Sequence, residues 1–325
     1  AAGATPVRAD AALRLGKIIG DTDRSAALVY LEQAAPLLEQ SQQLTLAADA
    51  YSSISRLRRR EGDFVAAVTA EESSLRLRRS VVPPFEVWRS VRDLAVLYEQ
   101  LEQFDEARRS YAQALAEAEL SGNGPGLILM LSSFASFLND RGNEAELARS
   151  YAERALAIDP GSAPADQRAV AVQHTGALLQ LGRAQTALGN LEAADAAMRV
   201  AMEGAERTDR PAMRAHIYMR WGELALAQGQ PQLALQRLQQ AQQIYQQQGN
   251  RQRLTLTYAL LQRSYEALGE PLAAAQAGLE HYRLRDELMG RPAIARVGEM
   301  LASVQLREAR QRAEHLAQAN TVAEL

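Results

Sequence analysis

The chain has 325 residues, 47% apolar, 23% charged and only 5% aromatic, with a net charge of −3. That balance is globular, thin in aromatics for a β-sandwich or barrel, and of the wrong sign for a protein that coats nucleic acid. Cysteine is absent, which excludes disulfides, thiolate metal sites and cysteine nucleophiles, and 35 of the 36 basic residues are Arg, leaving Lys17 as the one lysine.

Taken along the chain, helical patterns end on a Gly or turn residue and restart with an Ala about five residues later. The alanines are Ala27, Ala67, Ala107, Ala148, Ala194, Ala234 and Ala274, spaced 40, 40, 41, 46, 40 and 40. The turn slots hold Thr22, Gly62, Glu102, Gly142, Gly189, Gly229 and Gly269. Two residue classes keep one period, so each period reads as two helices. In the first unit Gly16 falls one residue out of phase. The third places Leu94, Ala95 and Tyr98 on one helix face, then Phe104, Ala107, Tyr111 and Ala114 on another. Turn-rich stretches at 121–126 and 159–166 read as connections between units, not domain boundaries. In the sixth unit Tyr218, Trp221, Gly222 and Ala225 share a face, Gly229-Gln230-Pro231 breaks the helix, and Ala234, Leu238 and Ala241 resume it. The Gln-rich tract 239–248 reads as the solvated face of that helix, punctuated by Ala241, Ile244 and Tyr245. In the seventh, His281 occupies a slot where a small residue is usual.

From Pro292 the register changes to Ile294, Val297, Leu301 and Val304, a heptad seam over two repeats. Residues 292–325 are therefore expected to form one long helix. Its inner half would cap the solenoid; its charged outer half would pair with a second copy or project.

The motif Leu181-Gly182, Leu188-Gly189-Asn190-Leu191-Glu192-Ala193-Ala194, its counterpart Trp221-Gly222 with Gly229 and Ala234, and the run Ala148 to Pro160 resemble the tetratricopeptide repeat over roughly residues 8–290. The resemblance implies an all-α fold: an α-solenoid of about seven helix pairs with a period of 40, spanning residues 1–291. Residues 281–288 followed by the terminal helix look like the exit of solenoid sensor regions that precede diguanylate cyclases and histidine kinases in bacteria. In those proteins the helix continues into an output domain.

The sequence carries no dinucleotide fingerprint, no phosphate loop and no His-Glu-x-x-His. Gly122, Gly124 and Gly126 before a helix read either as an anion cradle or as an ordinary loop. His174, His216, His281 and His315 are scattered. Glu71-Glu72 and Asp105-Glu106, near arginines on helices, read as solvated ion pairs instead of acid–base catalysts. The basic runs Arg58–Arg60 and Arg76–Arg79 read as helix C-termini, where they complement the dipole. No enzymatic activity, metal or cofactor is expected of this segment.

In such repeats the first helices line the concave face. By helical phase the groove residues are Arg56, Arg59, Arg89, Arg92, Ser132, Ser136, Asn139, Arg183, Met219, Arg220, Glu223 and Arg263. Recurrent arginine favours an acidic protein or peptide partner, since guanidinium pairs bidentately with carboxylate. The alternative is that these arginines pair with acids of neighbouring repeats. The leading expectation is a protein- or peptide-binding input module of a bacterial signalling protein. The alternatives are a peptide-pheromone receptor of the regulator type and, third, an enzyme with an unrecognised site. Homodimerisation through the terminal helix, no nucleic-acid contact and no membrane span complete the reading. A cytoplasmic location is expected. The start at Ala1 instead of Met keeps a periplasmic sensor region as the alternative.

Overall fold

The computed structural model describes residues 4–20, 23–81, 86–141, 144–159 and 164–288. Among them are fourteen α-helices and no strand. In chain order these are α1 (Ala4–Ile19), α2 (Arg24–Gln40), α3 (Leu44–Glu61), α4 (Phe64–Ser80), α5 (Val87–Gln100), α6 (Phe104–Leu120) and α7 (Gly124–Arg141). They continue as α8 (Ala145–Leu156), α9 (Pro164–Ala187), α10 (Leu191–Arg207), α11 (Pro211–Ala227), α12 (Pro231–Gln247), α13 (Arg251–Leu268) and α14 (Pro271–Leu288). Their order along the chain is the one expected of an α-solenoid of seven helix pairs. The long helix expected over 292–325 lies outside the described residues.

The described residues group into two compact units: the first holds those up to 81 with 96–103, the second 86–95 with 104–288. In the first unit α1 to α4 pack in sequence. In the second, α7, α9, α11 and α13 adjoin one another as successive first helices, each also packed on its own second helix.

The period has one physical source. Every repeat alanine is the fourth residue of a second helix, and all seven are between 0 and 5% exposed. A Cβ added to Gly182 or Gly222 on the facing first helix would come 3.3 Å from the carbonyl oxygen of Ala194 or Ala234. It would also come 2.8 Å from Met198 or 2.7 Å from Leu238. The backbones approach so closely that only Gly opposite Ala fits. Gly16 corrects the sequence reading: its Cβ would meet the Ala27 carbonyl at 3.2 Å and Leu31 at 2.7 Å, the same contact. It is in phase in space, because α1 ends three residues after its glycine and α9 and α11 end five after theirs.

The turn slots share a second requirement. Gly62, Gly189, Gly229 and Gly269 sit at φ between 70° and 80°, the left-handed conformation that closes a helix C-terminus. Glu102 adopts φ 59° in the same slot, at a cost of about 1 kcal/mol for its Cβ.

Two connections differ from expectation. The stretch 121–126 is not wholly loop, because α7 begins at Gly124. Asn123 Oδ1 accepts from the Gly126 N–H at 2.9 Å, and a Cβ on Gly126 would lie 2.7 Å from Trp88 Cζ2. The glycine admits an indole and the helix end is capped, which replaces the anion-cradle reading with packing. Likewise α9 begins at Pro164, inside the expected connection 159–166, and runs 24 residues against 18 for α7 and α13. The six residues by which that period exceeds 40 lengthen a helix.

Candidate binding face

The first helices of the second unit present a polar ladder. On α7, Ser132, Ser136, Asn139 and Asp140 fall on one face at spacings of four, three and one. Arg183 of α9 donates through Nη1 to Gln180 Oε1 at 3.0 Å and to Ser136 Oγ at 3.4 Å, and through Nη2 to Asp140 Oδ1. Arg220 of α11 donates to Glu223 Oε2 at 2.9 Å and to the same Asp140 oxygen at 3.3 Å. Asn139 Nδ2 donates to the Gln180 carbonyl at 3.0 Å. Three first helices are thus tied together by side chains that helical phase placed on one face.

Depth within this cluster is uneven. The side chains of Arg183 and Arg220 are 8% and 13% exposed, those of Asp140 and Glu223 40% and 38%. Burial, then the neighbouring Arg220 charge, lower the pKa of Arg183. Both guanidiniums are held by the acids above them. The pairing alternative therefore describes Arg183 and Arg220, and these two no longer support an acidic partner. Some polar atoms are left over. Ser132 Oγ, Asn139 Oδ1 and Arg220 Nε are buried without a partner among the described residues.

One turn before Arg220, half-buried His216 lies with Nε2 3.2 Å from Arg253 Nη1 of α13. A guanidinium can only donate, so the imidazole accepts and is neutral there. Burial, then the charges of Arg253, Arg220 and Arg183, hold its pKa well below the ordinary imidazole value. Burial also pushes the Tyr245 phenol up to about 12. An open cleft of about 440 Å³ lies beside His216, lined further by residues 209–213 and Gln248.

The other candidate residues are placed elsewhere. Met219 is fully buried in the hydrophobic cluster with Ala234 and Leu238, out of reach of any partner, which corrects its assignment to the groove. Arg263 is exposed on α13. Arg89 pairs with Glu86 at 2.6 Å and stacks on Trp88, and Arg92 pairs with Asp93 at 2.5 Å. Arg56 and Arg59 belong to α3 of the first unit, where exposed Arg56 donates to Ser53 Oγ at 2.9 Å. Glu71 is a further correction: it is 0% exposed and accepts from Ser52 at 2.9 Å, so it is no solvated ion. Asp140 and Gln180 were missed by a reading that followed arginine. Their signal was present, four residues after Ser136 and three before Arg183. Among the described residues no group of His, Asp and Glu is arranged to hold a metal, and no helix is long and apolar enough to cross a membrane.

The tetratricopeptide repeat profile matches residues 93–119. By sequence, no curated protein matches the chain. Among solved structures, the apo form of RapI is 12% identical with a TM-score of 0.66, covering 86% of this chain and 98% of its own. A Rap protein complexed with competence and sporulation factor is 14% identical with a TM-score of 0.65, covering 91% and 80%. The Rap conjugation gene regulator of plasmid pLS20, in complex with the Phr* peptide, is 13% identical with a TM-score of 0.64, covering 81% and 69%. At these identities the likeness is one of fold. The chain is a solenoid of tetratricopeptide-like pairs, an architecture that serves as a protein-binding scaffold.

Proposed function

We propose that this tetratricopeptide-like solenoid binds a protein or peptide segment on the first-helix face of its second unit, as the regulatory input module of a bacterial signalling protein such as a diguanylate cyclase. The observation that carries the binding reading is the ladder on α7, α9 and α11. It joins three repeats through polar side chains and holds the carboxylates of Asp140 and Glu223 outermost, 40% and 38% exposed, where a bound chain can reach them. The input-module reading rests on the resemblance of residues 281–288 and the seam after Pro292 to sensor exits. A second reading, a peptide-pheromone-type receptor, is favoured by the Rap structures complexed with competence and sporulation factor and with the Phr* peptide.

Blocking the face tests the binding reading. Ser136→Trp fills the ladder, whereas Gln239→Trp alters an exposed position on α12. Peptides selected on the wild-type chain should lose at least tenfold in affinity for Ser136→Trp and bind Gln239→Trp unchanged. Equal loss in both, or in neither, places binding elsewhere.

A further inference from the structure

The last described helix is apolar on two faces. Ala277 and Leu284 of α14 are buried in the cluster with Leu254, Leu260 and Leu261 of α13. On the opposite face Leu272, Ala275, Leu279 and Tyr282 are exposed, the three large side chains at 73%, 67% and 54%. Their spacings of three, four and three align them as one stripe. Tyr282 stands in the slot from which Gln242 of α12 reaches Tyr258 on the next first helix at 3.0 Å, so it faces where a further helix would stack. Leu272 and Leu279 stand two before and five after their repeat alanine, outside that slot. There α10 carries Glu192 and Arg199, and α12 carries Gln232 and Gln239, all exposed. No other second helix is apolar in both positions. Scattered exposed leucines are ordinary, but an aligned set marks a surface that something covers.

We propose that this stripe is the docking site of the chain's own residues 292–306, running back along α14 as a helix. They lie outside the described residues, and their sequence fits the stripe in turn, register and length. Gly290-Arg291-Pro292 repeats the Gly-x-Pro turns Gly229-Gln230-Pro231 and Gly269-Glu270-Pro271, each of which joins two helices packed on one another. In both of those turns the glycine takes the left-handed φ that ends the first helix, 70° and 73°, and the proline opens the second. Ile294, Val297, Leu301 and Val304 then keep the stripe's spacings of three, four and three, so seam and stripe match along a helix pair. Between 292 and 306 only Arg296 and Glu299 are charged, whereas Arg307, Glu308, Arg310 and Arg312 follow closely. A helix turned back at Gly290 therefore comes level with the start of α14 where its charges begin, since α14 has 18 residues. The short tether holds the segment at an effective concentration on the order of millimolar, so it outcompetes a second copy present at micromolar level. The chain then leaves the solenoid beside Pro271 instead of Leu288.

The chain has no cysteine, so engineered disulfides test this cleanly. Leu279→Cys is combined in the full chain with Val297→Cys, Glu299→Cys or Leu301→Cys, and each pair is oxidised at micromolar protein. Disulfides require Cα atoms within about 7 Å, so a seam position, 297 or 301, should close within one chain about fivefold faster than 299. A covalent dimer from the seam pairs would put a second copy on the stripe and overturn the proposal. Equal closure at all three positions, or closure at none, overturns it as well. Hydrogen exchange gives a second readout that needs no cysteine. Leu272 and Leu279 are mostly exposed, so Leu272→Asp/Leu279→Asp leaves the α13–α14 packing in place. Amides of residues 294–304 should exchange about tenfold faster in that variant than in the wild-type chain. Equal rates in the two proteins would leave the stripe without this occupant and overturn the proposal.

Discussion

Each unit buries an ion cluster built from the same residue types, and the two clusters do different work. In the first unit Arg78, 2% exposed, donates to Asp49 at 2.7 Å and to Ser74 at 3.3 Å, while Ser52 bonds both buried Glu71 and Ser74. All four contacts join α3 to α4 or lie within α4, and Asp49 also accepts from Lys17 of α1 at 3.3 Å, so the cluster fastens one helix pair and touches the first helix before it. In the second unit Arg183 and Arg220 join α7, α9 and α11, which belong to three successive pairs. Arg78, on a second helix, turns into its own hairpin, whereas Arg76 two residues before it pairs with Glu39 of α2 at 2.9 Å. Arg183 and Arg220, on first helices, meet the neighbouring first helices, with their acids facing outward.

The largest expected effect breaks the internal cluster. Arg78→Ala should lower the unfolding free energy in urea by about 3 kcal/mol, since it strips a buried network of its charged donor. A loss below about 0.5 kcal/mol would make that cluster as marginal as a surface pair.

Next come the glycines of the second unit. Gly222→Ala places a methyl 2.7 Å from Leu238 Cγ, and overpacking should destabilise by about 2 kcal/mol despite alanine's better helix propensity. Gly176, also inside a first helix, has nothing within 4 Å of its Cβ position, so Gly176→Ala should stabilise by up to about 1 kcal/mol. Urea titrations of both variants with the same sign would remove the close-approach explanation of the repeat.

The smallest effect is pH-dependent. His216 has a depressed folded-state pKa, held down by burial and by Arg253, Arg220 and Arg183. Below the ordinary value near 6.5 the unfolded chain takes up a proton that the folded chain refuses, so stability falls as pH falls. The loss should reach about 1 kcal/mol by pH 5.5, and His216→Gln should remove it. Equal slopes in the two proteins would place His216 in water.

These comparisons mark what a sequence can disclose. The helix pairs were legible because close backbone approach demands Ala and Gly at fixed places, and that demand repeats with the fold. Ser136, Asn139, Arg183, Arg220 and Glu223 were brought together as helical phase implied. Met219, one residue from Arg220, turns about 100° away on the helix and is buried instead. Glu71 hid in a pair that reads as solvated, and Arg78 in a run that reads as a helix C-terminus complementing the dipole. Only tertiary packing distinguishes the buried member of Glu71-Glu72 or of Arg76 to Arg79. The sign of the binding face was illegible for the same reason: a count of arginines says nothing about whether they lie above or below their acids.

Hydrogen exchange of the full chain with and without a selected peptide tests the central claim most directly. Protection confined to residues around 132–140, 180–187 and 216–223, on the first helices of the second unit, is the predicted result. Protection confined to the second helices α8, α10 and α12 would contradict it.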